Sequence, residues 1–312
     1  MAMNSSQLTS QDHRGEGMRT QSIDTHPDVE RVLIALLRQA SSQKRFQSVQ
    51  ALTRSGIWAS VHRWQQHHPD ASMQEAAVHY VASAYGDHFA QLVQEQLIRQ
   101  EHWTVQPVDL LAVLEPILSV FDSTEVPWYL GGSLASSLHG MQQLAQDIDI
   151  VIHPRSFTFS DEKLWNETRV ALLKEHYVID EEAMHQGQSV SLLHLDSLMK
   201  VDVIISQREA FDLAMAQYTE MHLLEEQHAV LPVASAVEMI LWKLVRYHTD
   251  KIMRHDGMED DAGWNDILGM LKVQGLRLNI SLLEQWAERL AMSKLLEQAL
   301  LDAGISGSPA ER

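Results

Sequence analysis

Residues 129–152, YLGGSLASSLHGMQQLAQDIDIVI, decide how the rest of the chain is read. A strand ends in Gly131 and Gly132, a short helix opens at Ser133, and a second strand carries Asp147 and Asp149. Aspartates spaced i, i+2 on a strand point to the same face, so their carboxylates can share a pair of divalent cations. Oxygen ligands of this kind are what Mg²⁺ prefers. Backbone N–H groups freed at Gly131, Gly132 and the helix start can meet a phosphate, helped by the positive end of the helix dipole. Metal and phosphate contacts thus fall side by side.

Beyond this stretch His153 and Pro154 mark a loop. A helix over 161–175 follows, with Leu164, Val170, Leu172 and Leu173 inward, and then the strands YVID, SVSLLHL and MKVDVII. In the last of these Lys200 and Asp202 share one face, while Val201, Val203 and Ile205 occupy the other. A carboxylate on an otherwise apolar strand is costly to bury without a partner. Metal-bound charge at Asp147 and Asp149 is one such partner, and a salt bridge to a basic neighbour at the sheet edge is the alternative. Asp202 is therefore the third candidate carboxylate. Asp196 competes for the role but precedes a turn at Ser197, where aspartates are frequent.

GGS followed by DID and then by a strand aspartate resembles the signature of the DNA polymerase β-like nucleotidyltransferase superfamily. The segments SVSLLHLDSLMKVDVII, PVASAVEMILWKLVRYH and WNDILGMLKVQG are similar to bacterial nucleotidyltransferases of the AbiEii/MenT type, over residues 126–304. The resemblance implies an α+β nucleotidyltransferase fold, a small mixed β-sheet flanked by helices. It places Asp147, Asp149 and Asp202 as catalytic metal ligands for two Mg²⁺ ions, with Mn²⁺ as the substitute. Gly131, Gly132, Ser133, Lys243 and Asp266 are then the nucleotide-binding residues. Lys243 would contact phosphates; a solvated surface lysine is the alternative. Asp266 would orient the acceptor or a catalytic lysine, or is simply an aspartate favoured near a helix start. Two departures stand out: relatives carry R-x-T-x-D-x-D where this chain has Gln143 and Ala145, and an arginine where Asn265 stands.

Composition bounds the setting. The chain has 312 residues, a formal net charge of −18 and no cysteine. No signal-like segment and no long apolar run is present, so a soluble cytoplasmic protein without membrane contact is expected. The acidic charge disfavours bulk nucleic-acid binding, because phosphate neutralisation supplies most nonspecific affinity. A local basic patch for one RNA end remains compatible.

Residues 1–25 are polar and expected to be a disordered tail. Residues 26–101 read as a helical module of unknown role. Ser72 and Glu75 form a capping box and Gly86 ends that helix. Trp58, Trp64, Tyr80 and Tyr85 fall at apolar positions and read as core rather than base-stacking residues. His67 and His68 lack further ligands at suitable spacing and read as a solvated loop. The nucleotidyltransferase core spans 102–232. It opens with a linker over 103–107 and a helix, DLLAVLEPILSVFDS, in which Leu110, Leu111, Leu114, Ile117 and Leu118 face inward and Pro116 introduces a kink.

The C-terminal part, 233–312, is helical. Ser235 with Glu238 caps EMILWKLVRYH, which buries Ile240, Leu241, Leu244 and Val245 and sets Lys243 beside that stripe. A charged loop over 250–263 precedes a helix burying Trp264, Ile267, Leu268 and Leu271 and ending at Gly275. Ser281 and Glu284 cap the next helix, and 293–303 supply the last. A serine hydrolase is excluded: Ser133, Ser136 and Ser137 lie near His139, but no G-x-S-x-G elbow is present.

Three functions fit these residues. The first is a metal-dependent enzyme moving a nucleoside monophosphate from a nucleoside triphosphate to an RNA end, a protein or a small molecule, as a toxin or defence component with an antitoxin as candidate partner. The second is a nucleotide-binding module without transfer, and the third a scaffold.

Overall fold

The computed structural model describes residues 19–22, 24–100, 102–123, 125–152, 162–180, 189–205, 209–253 and 261–305. Most of the expected disordered tail lies outside them, as do His153, Pro154, Asp161 and positions 254–260 of the charged loop.

Four helices come first: α1 (Pro27–Gln39), α2 (Ser42–His67), α3 (Met73–Tyr85) and α4 (Asp87–Leu97). The capping box at α3 is formed in both directions, and Gly86 ends the helix at φ 94°. α2 turns Phe46, Val49, Thr53, Ile57 and Val61 inward at helical spacing. Trp58 falls one position off that stripe and is 55% exposed, stacked on His62 instead of entering the core. Trp64, Tyr80 and Tyr85 do pack against the core. His67 and His68 are exposed, as expected, but they end a helix instead of lying in a loop: His67 is the last residue of α2 and His68 its C-cap.

α5 (Leu110–Ser123) runs on through Pro116 and leads into β1 (Trp128–Leu130), α6 (Gly132–His139) and β2 (Asp147–Ile152). After α7 (Glu162–Lys174) come β3 (Tyr177–Asp180), β4 (Ser189–His194), β5 (Met199–Ile205), α8 (Glu209–Ala216), β6 (Glu220–Leu224) and β7 (Ala229–Val233). On α7, Thr168 and Leu172, one turn apart, set the buried face, and Val170 and Leu173 are exposed, against expectation. The burial of Leu164 lies outside the description. The helices α9 (Ala236–Met253), α10 (Asp261–Gln274), α11 (Ile280–Arg289) and α12 (Ser293–Asp302) complete the fold. Asn279, not Ser281, caps α11, because its side chain reaches the Leu282 amide first. None of the described helices is long and apolar enough to cross a membrane.

The fold is α+β, a seven-stranded mixed sheet in the order β3-β4-β5-β2-β1-β7-β6 with helices packed around it. β2 pairs parallel with β5, and β1 parallel with β7, and the remaining neighbours are antiparallel. On β2 and β5 every second residue is buried, so Ile148, Ile150, Val201 and Val203 enter the core while the aspartates take the other face.

The N-terminal helices hold the pieces that position this face. The Arg45 guanidinium donates to the carbonyls of Leu138 (2.9 Å) and Gly140 at the end of α6, and also to Leu37 O. Arg38 donates to Lys272 O (2.6 Å) and Val273 O (3.1 Å) near the end of α10. Cations there satisfy orphan carbonyls and oppose the negative end of the helix dipole. Glu30 and Lys272 form an ion pair at 2.7 Å, both about 1% exposed. Removing one partner of such a pair costs about 3–5 kcal/mol, since a lone charge is left inside. Lys272 Nζ also donates to Arg19 O, and Gln21 N donates to Glu30. The loop before β2 is pinned as well: Ala145 N donates to Thr53 Oγ1 (2.9 Å), and the Tyr85 hydroxyl sits 2.9 Å from Gln146 O.

Candidate active site

The parallel pairing of β2 with β5 sets Asp149 directly beside Asp202 and Asp147 beside Lys200. One oxygen from each of Asp147, Asp149 and Asp202 lies within 4.8 Å of the other two. They open onto a cavity of about 780 Å³ that also touches Gly131, Gly132, Ser133, Lys243 and Asp266. All the residues singled out as ligands in the sequence thus meet at one cavity, although they come from two strands and three helices.

Gly132 is what lets the cluster close. Its φ is +59°, a conformation that costs a side chain about 1–2 kcal/mol. A Cβ placed there would stand 1.6 Å from Asp149 Oδ2. Neighbouring Gly131 behaves differently from expectation. Its amide is not free for a phosphate, because it donates to Asp149 O at 2.9 Å as part of the sheet. The Ser133 hydroxyl likewise donates to Asp147 O at 3.1 Å. The first turn of α6 carries no side-chain cap, and Gly132 and Ser133 in that turn line the cavity.

Asp202 is held from two sides. Lys200 Nζ donates to Oδ2 and Ser191 Oγ to Oδ1, each at 2.5 Å. Of the two partners open to the lone strand carboxylate, the salt bridge to a basic neighbour is in place, and the other two aspartates add like charge that a bound cation would have to offset. Asp196 faces the other way, in the turn after β4, where it pairs with His176 at 3.1 Å. Lys243 Nζ donates to Asp266 Oδ2 at 2.6 Å, and Gln143 Nε2 donates to the other Asp266 oxygen at 2.7 Å. Gln143 thus keeps a contact across the cavity.

Electrostatically the cluster wants positive charge. Burial, followed by the charges of Asp147 and Asp202, pushes the Asp149 carboxyl up to about 7. Asp147 is raised too, by burial first and then by Asp202, while Lys200 and Arg246 pull both downward. Raised carboxyls bind protons more tightly folded than unfolded. Their stabilising effect is whole below the ordinary value of 3.8 and is lost as pH climbs through about 7. In metal-free protein, the melting temperature of Asp149→Asn minus that of wild type should therefore grow between pH 5 and pH 8. Adding Mg²⁺ at pH 8 should shrink the gap. A gap independent of pH would contradict the raised carboxyl.

Apart from Lys243, the cavity residues on α9 were not anticipated from the sequence. Glu238, Met239, Trp242, Lys243, Arg246, Tyr247 and Asp250 all touch the cavity. They recur every three or four residues along α9, so a second stripe, polar and aromatic, runs beside the apolar one. That periodicity was the available signal. Arg246 lies within 3.9 Å of Asp250 and adds a cation near the aspartates. Glu238 does not complete its expected box: its amide N–H donates to the Ser235 hydroxyl oxygen, but its carboxylate accepts from Tyr129 (2.8 Å). Burial pushes that carboxyl up to about 7. His139 is buried, donating Nε2–H to Ala234 O at 2.7 Å.

No protein-family model matches the chain, and no curated protein matches it. Among solved structures, it is similar to the antibiotic-resistance factor ANT(2'')-Ia in solution, at 16% identity over 60% of this chain and 96% of that one, TM-score 0.37. The crystal structure of ANT(2'')-Ia with adenylyl-2''-tobramycin overlaps 58% of this chain and 98% of that one, at 16% identity and TM-score 0.38. An antigenic nucleotidyltransferase-like protein from Paracoccidioides brasiliensis overlaps 59% and 91%, at 16% identity and TM-score 0.37.

Proposed function

We propose that this chain is a divalent-metal-dependent nucleotidyltransferase that moves a nucleoside monophosphate from a nucleoside triphosphate to an RNA end, a protein or a small molecule. The reading rests on one observation above the others: three carboxylates within 4.8 Å, two of them directly paired across parallel strands, beside the Gly132 turn. An all-oxygen, triply anionic donor set fits Mg²⁺ or Mn²⁺. Asp147, Asp149 and Asp202 would hold the ions. When bound, the metal supplies charge stabilisation to the oxygens entering and leaving phosphorus.

The chain's own groups do the rest. The first-turn amides of α6 receive the outer phosphates, with Lys243 and Arg246 adding positive charge from α9. To do so Lys243 exchanges Asp266 for a phosphate oxygen, and Gln143 keeps Asp266 in place meanwhile. In the transfer, an acceptor oxygen forms a bond to the α-phosphorus, the bond from that phosphorus to the bridging oxygen breaks, and pyrophosphate departs. The acceptor proton passes to a carboxylate, for which Asp202, oriented by Lys200 and Ser191, is the assigned base. In this reading residues 102–232 form the core, 233–312 a helical C-terminal subdomain, and 26–101 a helical module. A toxin or defence role in the cytoplasm, with an antitoxin as partner, is the biological setting we assign.

A nucleotide-binding or scaffold protein without transfer is the second reading, favoured by Gln143, whose position is basic in similar sequences. Incubating the purified full chain with each α-labelled nucleoside triphosphate, Mg²⁺ and a cell extract separates the two. Label in the RNA, protein or small-molecule fraction, removed by a chelator, names the acceptor class. Nucleotide binding with no label anywhere and no pyrophosphate released would establish the second reading.

A further inference from the structure

A second, chemically different cluster lies at the far end of α6. His139 closes that helix, and Glu220 and His222 share one face of the edge strand β6. One candidate ligand atom from each of the three lies within 4.8 Å of the others, and His222 Nε2 is 3.8 Å from Glu220 Oε2. The two imidazoles meet edge to face with centroids 5.4 Å apart.

We propose that His139, Glu220 and His222 form a zinc-type site that clips the edge strand to the end of α6. Three observations carry it. Ala234 O can only accept, so His139 Nε2 holds the proton and Nδ1 keeps its lone pair; this carbonyl contact to the non-ligating nitrogen is the usual support of a metal-bound histidine. His222 is 8% exposed, yet its Nδ1 has no hydrogen-bond partner among the described residues and its Nε2 has only the loose 3.8 Å approach of Glu220, so neither ring nitrogen is committed elsewhere. Glu220 is exposed and can swing, which matters because closing on an ion brings ligand atoms to about 3.4 Å of each other, given Zn–N and Zn–O distances near 2.1 Å.

The donor set selects the ion. Two imidazoles and one carboxylate suit Zn²⁺, Co²⁺ or Ni²⁺, whereas the aspartate cluster suits Mg²⁺. Arg45 is the opposing charge nearby, bound to the carbonyls of Leu138 and Gly140. Glu220 is the only one of the three ligands able to offset it, so its carboxylate is required and not merely helpful. A fourth coordination position remains for water.

The test uses the chelator-treated full chain carrying Asp149→Asn, which cripples the aspartate cluster, in excess Mg²⁺. Zn²⁺ at about a hundredfold over its Kd is expected to raise the melting temperature by about 5 °C. One zinc per chain should be retained after dialysis. Adding His222→Gln or Glu220→Gln should reduce the shift to under about 1 °C. If His222→Gln does not fold, the exposed Glu220→Gln decides alone. No zinc shift in the parent, or an equal shift in the Glu220→Gln protein, would overturn the proposal.

Discussion

Replacing Asp147 by asparagine should lower Mg²⁺-dependent nucleotide incorporation by at least about a thousandfold, the scale on which removing a preorganised electrostatic contact acts. The same change should make the metal-free protein more stable at pH 8, not less. Asp147 is one of three clustered acids whose mutual repulsion, together with burial, already raises Asp147 and Asp149. Removing one relieves the others, while asparagine keeps the size and the β2 register. Turnover with α-labelled triphosphate and thermal melts with and without Mg²⁺ read both halves. Incorporation within tenfold of wild type would remove Asp147 from the chemistry. A fall in metal-free stability would remove the repulsion argument.

Gly132→Ala should be nearly as severe, and by a route that Gly131→Ala does not share. At 132 the new Cβ meets Asp149 Oδ2 at 1.6 Å and Cγ at 2.6 Å, in a backbone conformation with φ +59°. Either α6 moves or Asp149 turns out of the cluster. At 131 the backbone is ordinary, and the nearest atom, Val151 Cγ2, is 3.2 Å away. A shift of a few tenths of an ångström accommodates it. We expect Gly132→Ala to lose Mg²⁺-induced stabilisation and at least about a hundredfold in incorporation, with Gly131→Ala within tenfold of wild type. Equal effects at the two positions would show that Asp149 is not held by this contact.

Much of this site was legible because strands alternate. The i, i+2 spacing of Asp147 and Asp149, and the alternation around Asp202, depend only on the two-residue period of a strand. What the sequence could not carry was the parallel register that sets Asp149 against Asp202, since pairing partners lie far apart in the chain. It also could not show who occupies a donor. Gly131 and Ser133 looked available for phosphate, and both give their protons to the neighbouring strand. The helices were read well where an amphipathic stripe is clean, as in α10. They were read poorly where a large side chain stands one step off it, as with Trp58 on α2. The strands β6 and β7 passed unnoticed, because Met221, Leu223 and Val230 are exposed apolar residues that blur the alternation. The α9 cavity stripe was present in the sequence but hidden by the stronger apolar stripe next to it.

The Glu30–Lys272 pair joins partners 242 positions apart. A ribosome adding about 5–20 residues per second needs on the order of 12–50 s to travel from one to the other. Throughout that interval the first helix has emerged with an acidic group destined for the interior and no lysine to meet it. It must wait in water, docked loosely or not at all, until Lys272 has been made. Burial of the first helix's acidic group is therefore gated by the synthesis of α10, which carries Lys272.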